Sequence, residues 1–135
     1  MEEAQFRLVT YCFDKVEMDL NNISDNITLN ISPSGNYNSK NGEFELEFKF
    51  NAYSNNQTDA FLMIVCKAIF EFKEVIPIDN FPQYFYSNSI AIVFPYVRAF
   101  ISTVTLQANK IRPIILPTMN LISLQSELKA KTTVI

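Results

Sequence analysis

Between Glu43 and Tyr53 polar and apolar residues alternate without interruption: Phe44, Leu46, Phe48, Phe50 and Ala52 are interleaved with Glu43, Glu45, Glu47, Lys49 and Asn51. Successive side chains of an extended chain point to opposite faces, so this period of two predicts a strand with one buried and one wet face. Gln5 to Leu20 also reads as extended, with Phe6, Leu8, Cys12, Val16 and Met18 on one face and Arg7, Lys15, Glu17 and Asp19 on the other. Val9, Tyr11 and Phe13 put apolar groups on that second face, which predicts a partner there, another subunit being the simplest. Asn26 to Ile31 alternates Ile27, Leu29 and Ile31 with polar residues, then runs into SPSGNYNSKNG, a stretch of turn formers. Ala60 to Phe72 is apolar on both faces for much of its length, as a central or interface strand would be.

After these four strands the period changes. Ile76, Ile78, Phe81, Tyr84, Phe85 and Tyr86 fall around Pro77 and Pro82 at no regular spacing, which predicts an aromatic crossover loop. Val97, Phe100, Ile101, Val104 and Ala108 recur at helical spacing opposite Arg98, Ser102 and Gln107. Pro95 either opens that helix or kinks one begun near Ser87. Beyond a Pro-containing loop, Lys110 to Pro117, a second amphipathic helix is expected from Thr118 to about Lys131, with Leu121, Leu124 and Leu128 on one side. The expected fold class is α+β in one domain, residues 1–135: a four-stranded antiparallel sheet over about 5–72, a crossover over 73–86, and helices over about 87–109 and 118–131.

Composition adds a physical demand. Of 135 residues 48% are apolar, with 12 Phe and 6 Tyr, more aromatic surface than one small core readily hides. The surplus calls for an oligomer interface or a binding surface. Histidine is absent, which removes the commonest general base and the commonest nitrogen ligand for zinc. Gly35 and Gly42 are the only glycines, so there is no Gly-rich loop to wrap a phosphate. The expectation is a protein that is not an enzyme, with no catalytic residue, metal or cofactor. Cys12 and Cys66 stand far apart in sequence and read as reduced core thiols of a cytoplasmic protein. The net charge is −3 without a Lys/Arg cluster, which argues against a nucleic-acid partner. No uninterrupted apolar run reaches the roughly 18 residues of a membrane span, so membrane insertion is not expected.

Several stretches carry a family resemblance. Ile92-Val93-Phe94-Pro95-Tyr96-Val97-Arg98, continued by Ile101-Ser102, is similar to the L-F-P-Y-A-R-E-x-I-S/T stretch of the SecB chaperones. Arg112-Pro113-Ile114-Ile115-Leu116-Pro117-Thr118-Met119-Asn120-Leu121 resembles that family's F-P-x-L-x-L-x-P-V-N-F segment, with 14 residues between Arg98 and Pro113 as in the family. Ala60 to Cys66 with Ile69-Phe70 is similar to its A-F-L-x-E-V strand and following I-F. The likeness runs from about Phe6 to Leu124.

The resemblance implies a cytoplasmic homotetramer, a dimer of dimers, that holds unfolded preproteins in apolar grooves near the crossover and the second helix. Phe70, Tyr96 and Leu121 match groove-lining positions of the family, and Phe72, Tyr84 and Phe85 extend that set from this sequence. It also implies docking of the translocation motor SecA, near Glu17 and Asp19. Lys15 stands where the family carries an acidic residue, Lys67-Ala68 replaces its G-G, and KAKTTVI replaces its longer acidic tail. The competing expectation is a protein of the same fold that serves one fixed partner, such as an antitoxin, with no role in export.

Overall fold

The computed structural model describes residues 5–21, 23–24, 26–55, 57–117 and 121–135, with Leu121 described by its backbone alone. The alternation read from Glu43 onward becomes β3 (Glu43–Ser54), whose Phe44, Leu46, Phe48, Phe50 and Ala52 are fully buried while the residues between them face water. β2 (Ile27–Asn38) pairs with it antiparallel through a tight turn. There Asn38 Oδ1 accepts from the Lys40 amide, and Gly42 adopts φ 75°, a conformation that side chains disfavour. β4 (Leu62–Phe72) lies between β3 and β1 (Phe6–Met18), as its apolar character on both faces anticipated.

The sheet has five strands in the order β1-β4-β3-β2-β5. This corrects the expectation of four antiparallel strands: β5 (Thr132–Val134), part of the segment read as a tail, lies parallel to β2 along Gly35–Tyr37. The sheet is therefore mixed.

β1 is paired with β4 through two register shifts, one between Leu8 and Thr10 and one between Phe13 and Lys15. Each inserts one extra residue, Val9 and then Asp14, and each reverses which side chains point inward. The stripe facing the core is consequently Phe6, Leu8, Tyr11, Phe13, Val16 and Met18, each opposite one of β4's inward-facing residues. Tyr11 and Phe13 thus turn toward the helix side, not toward the outer face assigned from strict alternation. Cys12 moves the other way: it is exposed, whereas Cys66 is buried as expected.

The chain reaches the helices through a short 3₁₀ turn, Ile78–Asn80. α1 (Phe85–Ala108) crosses the inner face of the sheet, burying Phe85, Tyr86, Ser89, Ile90, Val93, Val97, Ile101 and Thr105 in a stripe of roughly helical period. Pro95 lies inside it, the second of the two expected placements. Asn109 ends it in the left-handed conformation (φ 54°), its amide donating to Leu106 O. α2 (Leu121–Ala130) buries Leu124 and Leu128 and leads directly to β5.

Although no uninterrupted run predicted a span, α1 has the length and mean hydropathy (1.6) of a membrane-crossing helix by composition alone, and only 33% of that window is buried. One face is core, and the remainder mixes exposed Ile92, Tyr96 and Leu106 with exposed Arg98, Thr103 and Gln107. The chain exposes 8372 Å², against about 7,200 Å² for a compact monomer of this length.

Candidate functional site

The crossover is fastened to one end of the sheet by rings. Phe81 sits 4.5 Å from Phe72, 4.6 Å from Tyr37 and 5.1 Å from Phe85, centroid to centroid. The Tyr37 hydroxyl donates to Ile76 O, and Phe85 packs edge-on against Phe6 and Phe44, each at 4.8 Å. Edge-to-face contacts of this kind add to the gain from area alone. The irregular spacing of crossover aromatics therefore resolves into a cluster that closes the end of the core.

This placement sorts the residues expected to line a groove. Phe70, Phe72 and Phe85 are buried, Phe70 and Phe85 completely. They correct the groove assignment: Phe70 and Phe72 lie on the inner face of β4 and Phe85 opens α1 against it, so the three rings fill the core and offer no surface. Tyr84, immediately before α1, is 48% exposed, and Tyr96 on the outer flank of α1 is 41% exposed. Tyr96 stacks on Tyr11 of β1 at 4.3 Å. The Leu121 side chain lies outside the described residues. Glu17 is exposed on β1 with Lys15 Nζ 3.5 Å away, and Asp19 Oδ1 accepts from the Asn21 amide and side chain at 3.1 and 3.0 Å.

Between the crossover and α2 the structure forms a hollow of about 590 Å³. It is lined by the apolar Ile78, Phe81, Pro82 and Tyr86 and by the polar Asp79, Gln83, Gln125 and Lys129. Burial, with a smaller contribution from Asp79, pushes the Tyr86 hydroxyl above its usual range, so this group remains a neutral donor at physiological pH. Apolar side chains interspersed with polar groups suit a bound side chain and its flanking amides. Gln125 and Lys129 were not identified from the sequence, because only the docking of α2 over the crossover brings them there.

A second hollow, about 410 Å³, lies along α1 between Phe94, Pro95, Arg98, Ala99 and Ser102 and the exposed Ile115. Beside it the flank of α1 leaves Ile92 and Leu106 exposed, and the neighbouring edge strand leaves Val16 and Met18 exposed. Cys66 is held protonated, its thiol pushed up to about 11 by burial first and by Cys12 and Asp14 second. Among the described residues no group of three or more His, Cys, Asp or Glu side chains is gathered as for a metal ion.

No family model matches the chain. An uncharacterized protein of Methanocaldococcus jannaschii is 46% identical over 63 residues, 45% of this chain, and the chain spans 40% of the length of that curated relative. In three dimensions the chain resembles the Mycobacterium tuberculosis Rv1957 SecB-like chaperone, solved in complex with a ChAD peptide from the HigA1 antitoxin. The TM-score is 0.67 at 11% identity, covering 85% of this chain and 91% of that one. A Streptococcus agalactiae protein of unknown function matches with a TM-score of 0.34 at 16% identity, over 85% of this chain and 94% of that one.

Proposed function

We propose that this chain is a chaperone that holds non-native polypeptide segments and performs no covalent chemistry. Its fold is SecB-like. The observation that carries the reading is the hollow between the crossover and α2, lined by both apolar and polar side chains, in a fold whose solved neighbour holds a peptide. Burying one apolar side chain contributes about 1.5–3 kcal/mol, whereas micromolar affinity needs about 8 kcal/mol after the client has been ordered. Several anchors per client are therefore required. Tyr84 and Tyr96, both exposed, serve as further anchors, with Leu121 at the start of α2.

The clients are unfolded polypeptides, preproteins for export among them, and the setting is the cytoplasm. The exposed Ile92 and Leu106 of α1 and Val16 and Met18 of β1 are covered in a homotetramer built as a dimer of dimers. SecA docks, if the chain serves export, on the outer face of β1 near Glu17 and Asp19.

A second reading is favoured by one observation: the Mycobacterium tuberculosis neighbour was solved with an antitoxin peptide. On that reading the chain serves a single fixed partner. Light scattering during dilution of several unrelated denatured proteins separates the two. Protection of all of them supports a general holdase, protection of none beside tight binding of one partner supports the second reading, and failure to bind any non-native chain contradicts both.

A further inference from the structure

β5 occupies an edge that a foreign strand would use. It is three residues long, it runs parallel to β2, and it covers only Gly35–Tyr37 of a twelve-residue strand. Its attachment is mainly through main chain: the Gly35 amide donates to Lys131 O at 3.2 Å, the Ile135 amide to Tyr37 O at 2.8 Å, and the Ser39 amide to Ile135 O at 3.1 Å. Its apolar side chains are only partly buried, Val134 being about half exposed and Ile135 mostly so. Main-chain pairing with little side-chain burial is the form of contact that one extended segment can take over from another.

The position of this edge gives the exchange a purpose. Lys129, which lines the hollow, stands three residues before Thr132, where β5 begins. Tyr37, paired with Val134, donates to the crossover at Ile76 O and packs against the Phe81 ring that lines the same hollow. A polypeptide with a side chain in the hollow would thus carry its own backbone past the Gly35–Ser39 edge. Gly35 has no side chain because the buried Phe44 ring occupies its place, a Cβ there lying 2.3 Å from Phe44 Cζ, and a Cβ would also crowd Thr132 Oγ1 of β5 at 3.0 Å. Pro33 ends the usable edge on the other side, having no amide to offer.

We propose that β5 is a resident stand-in for client: residues 131–135 pair with the Gly35–Ser39 edge in the free chaperone and leave it when an extended client segment, apolar or β-branched at alternate positions, takes their place. The proposal rests on the holdase reading and specifies how the same site is kept closed. Being tethered, β5 competes at a high effective concentration, so unoccupied edge is scarce in the absence of client. Release involves the bonds from Lys131 Nζ to Glu127 Oε1 (2.7 Å) and to Ser32 Oγ (3.1 Å), which hold the turn into β5.

The test is amide hydrogen exchange on the full chain, with and without a saturating reduced and carboxymethylated protein as a permanently unfolded probe. Displacement of a tethered strand predicts that the amides of Thr133 and Ile135 exchange at least about tenfold faster with the probe bound, while those of Gly35 and Ser39 stay protected. A Thr133→Pro variant, unable to pair at that residue, should bind the probe at least about tenfold more tightly, because its competitor is gone. Probe binding that leaves Thr133 and Ile135 protected overturns the proposal and leaves the holdase reading standing. No probe binding at all overturns both. A doubling of mass in the variant assigns the freed edge to a second copy, and this too overturns the proposal.

Discussion

Phe13 of β1 lies flat against Phe100 of α1, ring centroids 4.0 Å apart and planes 10° apart. With Tyr11 on Tyr96 and Phe6 on Phe85 it fastens the edge strand to the long helix, and it exists because the bulge before Thr10 turns Phe13 inward. Stacked aromatic pairs contribute about 0.5–1.5 kcal/mol beyond the area they bury. A double-mutant cycle of Phe13→Leu and Phe100→Leu by urea unfolding should therefore give a coupling of about 1 kcal/mol. A coupling near zero would mean that the two rings do not support one another in solution.

Tyr84 and Phe70 should behave as opposites, although both were candidates for the same groove. Tyr84→Asp changes a side chain that is already half in water, so stability should move by less than about 0.5 kcal/mol while protection of an unfolded client weakens. Phe70→Asp puts a carboxylate among the rings of Phe6 and Phe85 with no partner and should cost more than about 4 kcal/mol, enough to unfold the chain. Circular dichroism melts beside light scattering distinguish the two outcomes.

How much of this was legible beforehand depends on whether the pattern kept its period. β3 obeys strict alternation, and its buried face was read directly from Phe44 to Ala52. β1 does not: its inward residues fall at Phe6, Leu8, Tyr11, Phe13, Val16 and Met18, a spacing that steps by two and three in turn. Counting by two assigns Tyr11 and Cys12 to the wrong faces, and no local residue announces the bulges. The crossover rings have no period, so their partition into buried Phe85 and exposed Tyr84 follows only from docking against Phe72 and Tyr37. β5 is too short to carry a pattern, and it is held by backbone bonds to a strand about a hundred residues earlier in the chain. The hollow was invisible for the same reason, since Lys129 and Asp79 come to line one space only in the folded chain.

The two thiols give a check of β1's register. Cys12, turned outward, should react with a thiol reagent in the native protein, and Cys66 only after denaturant is added. The Cys66 thiol is pushed from 9.0 to about 11 by burial. Between those values the unfolded chain gives up this proton and the folded chain keeps it, so stability is full below about pH 9 and falls as pH rises toward 11. Replacing Cys66 with Ala should flatten that alkaline decline in a series of urea midpoints. An unchanged slope would assign the decline to other groups.

The claim that clients anchor in the hollow between the crossover and α2 is tested most directly by filling it. Gln125 lines the hollow and is half-buried, so Gln125→Trp can occupy the space without entering the core. The measurement is light scattering of a chemically denatured protein diluted into rising concentrations of the wild-type or variant chain, with thermal melts showing that both are folded. The account predicts that the variant melts like the wild type and protects about tenfold less well, a loss of about 1.4 kcal/mol in client binding. Equal protection by a folded Gln125→Trp chain would contradict it.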